Sequence, residues 1–302
     1  MTRRLRVFVA AMTVLSLVAT ACGDDDGADT SVATTAAPAT TTTTVAAFDL
    51  VESVDAYLGA IPAGYMNVGD VTAFKDAVEA SGATIIDVRT EGEYAEGHIE
   101  GAINIPLSTL GDNLDKVPTD TQVFVQCKSG HRAALAVSSL RMLGYDNVLT
   151  FAPGINGWTE AGEPLVTTMP AEVPTYQVPE IPEPLMTAVG AFLSGMPQGY
   201  ITAGGVDDVK TAMDNDAFLL DVRTTEEFAN GHIGDAVNIP LHDVAANLDA
   251  IPMDRTVIVY CGSGYRAALA AAALQSLGYD NVSVFTGSWK AWKAAGEPVS
   301  QA

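Results

Sequence analysis

Two stretches of this 302-residue chain are near copies of each other: IIDVRTEGEYAEGHIEGAINIPL at Ile85–Leu107 and LLDVRTTEEFANGHIGDAVNIPL at Leu219–Leu241. The offset of 134 residues also relates CKSGHRA from Cys127 to CGSGYRA from Cys261, GEP at Gly162 to GEP at Gly296, and Trp158 to Trp292. Upstream, IPAGY from Ile61 and MPQGY from Met196 match at 135 instead, so one residue was lost between there and the DVR segment. The chain is a tandem duplication of a domain of about 115 residues, a length that can bury its own core. Whatever one copy folds into, the other must fold into as well.

Each copy alternates short β-branched runs with helix-like stretches. TIIDVR and TQVFVQC are apolar without polar alternation, as expected of strands buried on both faces. HRAALAVSSLRMLG spaces its apolar residues for a helix that stops at Gly144, and NVLTF reads as a further strand. This order predicts two α/β domains, each a doubly wound parallel sheet flanked by helices.

The remaining segments read as leader and linkers. Residues 1–21 have the form of an export signal, with Arg3, Arg4 and Arg6 ahead of an apolar run from Val7 to Ala21. That run is short for a membrane span, which needs about 20 residues. VATAC before and including Cys22 resembles the lipobox of bacterial lipoproteins, with Ala19 where leucine is usual. The expectation is lipidation of Cys22 and an exported protein anchored by lipid to the outer face of the cell membrane. Residues 22–47 then form a Thr- and Ala-rich disordered stalk, 48–165 the first domain, 166–184 an extended Pro-rich linker, and 185–302 the second domain. The formal charge of −22 argues against nucleic acid as a partner.

Of three cysteines, Cys22 is taken by the leader, leaving Cys127 and Cys261. A disulfide between them would have to join equivalent loops of two domains; two unpaired, reactive thiols is the better reading. Each stands after an apolar strand and before a helix, where open parallel sheets bind ligands. The helix N-terminus offers free backbone N–H groups and a partial positive charge, a setting that favours the nucleophilic thiolate. Gly130 and Gly264 let the loop curl, and Arg132 and Arg266 add cations suited to forked contacts with oxyanions. With four histidines, none clustered with a free cysteine, no metal site is expected, and no organic cofactor is called for.

The two DVR…GHI…NIP segments and the two Cys-x-x-Gly-x-Arg loops together resemble the rhodanese family of sulfurtransferases, over roughly residues 66–166 and 201–300. The resemblance implies a persulfide on Cys127 and Cys261, cradled by Lys128, Ser129, Gly130, His131 and Arg132 in one loop and Gly262, Ser263, Gly264, Tyr265 and Arg266 in the other. A small sulfur-containing anion such as thiosulfate would be the donor and cyanide or a thiol the acceptor. Asp87, Arg89, Asp221 and Arg223 are expected to be structural, the carboxylates bonding nearby backbone and the arginines pairing with acids of the next helix. His98 and His232 are expected to pack and hydrogen-bond, His242 to be exposed, and Trp158 and Trp292 to cover the cores.

Two rivals remain at this stage. A cysteine phosphatase would hold five residues between Cys and Arg, whereas these loops hold four. A non-catalytic redox or sulfur-binding module would use exposed thiols of the same character. Lys128, with His131 beside it, predicts that the first copy is the better thiosulfate site, since Gly262 and Tyr265 bring no such charge.

Overall fold

The computed structural model describes residues 47–170, 172–197 and 200–301. The leader, Cys22 and the stalk up to residue 46 lie outside the described residues. No helix among the described residues is long and apolar enough to cross a membrane.

The first half comprises α1 (Leu50–Gly59), β1 (Asn67–Val68), α2 (Val71–Ser81), β2 (Thr84–Asp87), α3 (Glu91–Glu96) and β3 (Ile103–Asn104). A 3-10 segment at Leu107–Lys116 follows, then β4 (Val123–Gln126), α4 (His131–Met142), β5 (Val148–Phe151) and α5 (Gly154–Glu160). The second half repeats this plan. It runs through α6 (Glu183–Ser194), α7 (Val206–Asp214), β6 (Phe218–Asp221), α8 (Thr225–Ala229) and β7 (Val237–Asn238). Two short 3-10 turns at Leu241–Asp243 and Ala245–Ala250 precede β8 (Val257–Tyr260), α9 (Tyr265–Ser276), β9 (Val282–Val284) and α10 (Ser288–Ala294).

Both sheets are wholly parallel. Their orders are β1-β5-β4-β2-β3 and β7-β6-β8-β9. The counterpart of β1 in the second half shrinks to one bridge, Thr202 opposite Val284, which accounts for five strands against four. The expected strands appear with shorter ends, because the residues after Asp87 and Gln126 leave the sheet to build loops. Helix α4 ends at Met142, and Gly144, at φ +90°, turns the chain out of it.

Two separate cores were expected, one per copy. Instead the largest core is shared: residues of α1, α4, α6 and α9 and of both sheets form a single buried cluster. The central helices lie between the sheets, and Ser138 of α4 donates to the Leu269 carbonyl of α9 at 3.2 Å. Smaller apolar clusters cover the outer sheet faces: Phe74, Phe124, Phe151 and Trp158 in the first half, Ile258, Phe285 and Trp292 in the second. The chain also exchanges helices. Helix α1, which precedes the first copy, packs on the 3-10 turns of the second, and α6, which precedes the second, packs on Leu107–Lys116 of the first. His242 is exposed as expected, yet its Nδ1 meets the Leu58 carbonyl oxygen of α1 at 2.8 Å and so marks the first exchanged contact.

Buried charge stiffens the sheet ends. Asp87 accepts from the Arg89 amide and side chain, and Arg89 also donates to the Gly97 carbonyl; Asp221, Arg223 and Gly231 repeat the arrangement. The expectation that these arginines pair with acids of the next helix is therefore corrected. Each doubles back on the aspartate two residues before it, since both side chains leave the sheet on the same face, and the helix acids are taken elsewhere. His98 and His232 stack on Tyr94 and Phe228, and the Trp158 and Trp292 N–H groups donate to Pro164 and Pro298 carbonyls, fixing the C-terminal corners.

Candidate active site

The strand-to-helix junctions of the two halves curl alike. β4 ends at Gln126, Cys127 follows, and Gly130 at φ +85° leads into α4; β8, Cys261 and Gly264 at φ +93° do the same for α9. A Cβ at either glycine would overlap a carbonyl oxygen, Ala152 or Thr286, so only glycine fits where the chain bends back toward the next strand's exit. Among the described residues, no acceptor takes the backbone N–H groups of Lys128 to Ala133. In the second loop the Gly264 amide points at Cys261 Sγ, 3.1 Å away. Each sulfur thus stands at the N-terminus of a helix, and in the second loop one backbone amide reaches it.

Both thiols are unpaired and only 1% exposed. Lys128, Ser129 and Ser263 are exposed, Gly130 and Gly264 are buried, and Gly262, His131, Tyr265, Arg132 and Arg266 are half-buried.

The loop arginines are not free forks. Arg132 Nη1 and Nη2 bond Glu93 Oε2 and Oε1 at 2.6 and 2.7 Å, and Arg266 bonds Glu227 at 2.6 and 2.8 Å. These are the helix acids that Arg89 and Arg223 leave unclaimed. Each glutamate also closes the capping box of its helix with Thr90 or Thr224. The arginine bonds lower the carboxyl pKa to about 2 in both. Burial opposes the guanidinium charges, but the paired glutamates and the neighbouring cysteine sulfurs outweigh it and hold both above their ordinary value.

His131 and Tyr265 occupy equivalent positions and turn toward the opposite half. His131 Nε2 lies 3.4 Å from the Ser263 carbonyl oxygen, and burial lowers the ring's pKa. The Tyr265 hydroxyl donates to Thr150 Oγ1 at 2.9 Å and meets the Met66 carbonyl at 3.2 Å, with burial raising its pKa. The charge expected of His131 is thus disfavoured by its surroundings, and the Tyr265 hydroxyl is engaged away from a donor.

Three features escaped the sequence reading. Glu93 and Glu227 were announced by Thr-x-x-Glu, a visible capping signal whose arginine partner was not visible. Ser288 replaces Gly154 at φ +49°, and its hydroxyl accepts from the Cys261 amide at 3.1 Å. Tyr65 and Tyr200, the tyrosines of IPAGY and MPQGY, enter the sites from the exchanged segments. The Arg266 guanidinium carbon lies 5.3 Å from the Tyr65 ring centre, and Tyr200 lines a cavity of about 130 Å³ with Arg132.

Residues 70–161 and 205–295 each match the family described as Rhodanese-like domain. A sulfurtransferase of Allochromatium vinosum is 40% identical over 84 residues, covering 28% of this chain and 78% of that protein. A thiosulfate sulfurtransferase of Actinobacillus pleuropneumoniae is 30% identical over 92 residues, 30% of this chain and 85% of that one. The 3-mercaptopyruvate sulfurtransferase of Escherichia coli K12 aligns across both halves, 25% identical over 248 residues, covering 67% of this chain and 82% of that one.

Proposed function

The chain belongs to the rhodanese family, and from that premise we propose that it is a sulfurtransferase working through a persulfide on Cys127 and on Cys261. The observation that carries this reading is the pair of buried, unpaired thiols, each seated among backbone amides at a helix N-terminus. The names of its relatives, which include sulfurtransferases for thiosulfate and for 3-mercaptopyruvate, support the reaction class.

The chemistry follows from the cradle. The cysteine thiolate attacks the outer sulfur of thiosulfate, the S–S bond of the donor breaks, and sulfite leaves with the electron pair. The outer sulfur, now bonded to Sγ, carries the negative charge that loop amides and helix dipole offset. An acceptor such as cyanide then attacks that outer sulfur, and the thiolate is released. Arg132 and Arg266, held in ion pairs by their glutamates, stand as fixed groups at the pocket wall rather than as a mobile clamp. A thiosulfate:cyanide assay on the wild type and on each Cys→Ser variant, with mass spectrometry after thiosulfate alone, tests the reading. A mass gain of one sulfur on Cys127 or Cys261 supports it; no gain with thiosulfate or 3-mercaptopyruvate would leave a thiol module that performs no transfer.

The leader motivates a companion proposal, that the mature protein begins at a lipidated Cys22 and works on the outer face of the cell membrane. Cys22→Ala should then release it from the membrane fraction; unchanged retention would refute the anchor.

A further inference from the structure

Two tyrosines outside the cysteine loops approach the sites, and each belongs by sequence to the other half. Tyr200 follows α6, which precedes the second copy, yet it lines the cavity of about 130 Å³ walled by Val88, Thr90, Pro106, Leu107 and Arg132 of the first. Tyr65 follows α1, which precedes the first copy, yet its ring faces Arg266 of the second. Both backbones sit at positive φ, +84° and +50°, where non-glycine residues are strained. The same strained residue type at both equivalent places, each aimed at the opposite half's arginine, is hard to explain by local folding alone.

The geometry points to Tyr200 and Tyr65 as the donor-specificity residues of the two sites, which makes each site composite and selective for compact anionic sulfur donors. This rests on the sulfurtransferase reading above. The cavity is small, about 130 Å³. A small pocket that reaches the cradle at Arg132 and is narrowed by Tyr200 favours a compact anion such as thiosulfate over the body of a peptide persulfide. Burial and the nearby Cys127 sulfur raise the Tyr200 pKa, so its phenol stays protonated and can donate toward an anion. Tyr65 instead presents its face to a guanidinium, an arrangement that holds both groups in place.

The test uses the full chain in a Cys261→Ser background, so that only Cys127 reports. Persulfide formation on Cys127 and kcat/KM are measured with thiosulfate and with glutathione persulfide, for Tyr200, Tyr200→Phe and Tyr200→Ala. In the glutathione reaction the thiolate takes the outer sulfur and glutathione thiolate leaves. Tyr200→Ala should shift the kcat/KM ratio toward glutathione persulfide by about tenfold or more, on the scale by which a few missing carbons change pocket discrimination. Tyr200→Phe should keep the size selection, and its thermal melt shows whether the fold tolerates change there. In the reciprocal Cys127→Ser background, Tyr65→Ala should shift the ratio at Cys261. The assignment is overturned if Tyr200→Ala leaves the Cys127 ratio within about twofold of its parent while Cys127 still takes up sulfur, or if Tyr200→Ala placed in the Cys127→Ser background shifts the Cys261 ratio as much. Failure of both donors to load either cysteine in the two parents would instead overturn the sulfurtransferase reading, and this inference with it.

Discussion

The Cys127 and Cys261 loops share a backbone but not a lining. Both have the left-handed glycine, the half-buried arginine and its glutamate. The first then offers exposed Lys128 where the second has Gly262, and a histidine where the second has Tyr265. It also turns at Gly154 where the second uses Ser288, whose hydroxyl supports the Cys261 amide. The duplication preserved what holds a charged sulfur and let the groups that meet a donor diverge. Because both arginines are occupied by glutamates, the two loops themselves differ in charge by Lys128, while Lys290, whose amide bonds the Gly262 carbonyl, stands where the first half has Asn156.

The sharpest way to break this comparison is to silence one site at a time. Cys127→Ser should cost more thiosulfate:cyanide activity than Cys261→Ser, by about tenfold, since a second cation matters most in the field of a strongly acidic protein. Lys128→Gly should reproduce part of that loss mainly in KM, and the gap should shrink as salt is raised. Equal losses, or a larger loss from Cys261→Ser, would reverse the ranking.

The turn after the next strand offers a second contrast. Gly154 sits at φ +58°, and a Cβ there would lie 2.5 Å from the Cys127 carbonyl oxygen. Gly154→Ala should therefore destabilise the protein by about 1–3 kcal/mol from backbone strain alone and reduce Cys127 loading further by displacing its loop. Ser288→Ala, at a position already built around a side chain, should cost about 1 kcal/mol for the lost hydrogen bonds. Comparable melts for the two variants would show that the turns are interchangeable.

A smaller effect is expected where the halves meet. Tyr265→Phe loses the buried bonds to Thr150 and Met66, a loss of about 1–2 kcal/mol read by chemical denaturation. His131→Phe should cost less, because its contact with Ser263 is long and its ring resists protonation. The smallest difference should appear in acid. Glu93 and Glu227 have carboxyl pKa values lowered to about 2, so their ion pairs contribute fully above the unfolded value of about 4.3 and are lost as pH falls toward 2. Glu93→Gln and Glu227→Gln should each flatten the acid limb of a stability curve between those limits. Both should leave its slope near neutrality unchanged.

Much of this was written in the chain. The repeated DVR segments, the apolar runs ending at Gln126 and Tyr260 and the Cys-x-x-Gly-x-Arg loops specify buried parallel strands feeding helices, because local propensity and patterning agree there. What the sequence could not disclose were contacts between surfaces of similar pattern. Nothing in the periodicity of α1 says whether its apolar stripe faces its own copy or the other. Likewise, Arg132 and Arg89 are equally suited to Glu93 until the sheet geometry assigns one of them to Asp87. The one visible hint was the change of offset from 134 to 135 ahead of the DVR segments, which marks IPAGY and MPQGY as a unit apart.

The crossed packing of α1 and α6 also has a consequence for synthesis. Helix α1 leaves the ribosome early, but its docking surface at Leu241–Ala250 follows more than 180 residues later. Such a long sequence separation slows productive closure and prolongs the exposure of apolar surface. The first copy is meanwhile uncovered at Leu107–Lys116 until α6 emerges. A nascent chain therefore cannot finish one half and move on to the next. Two chains paused at the same point could also lend each other their unplaced helices, so yield on refolding should fall as protein concentration rises, with intertwined dimers as the side product.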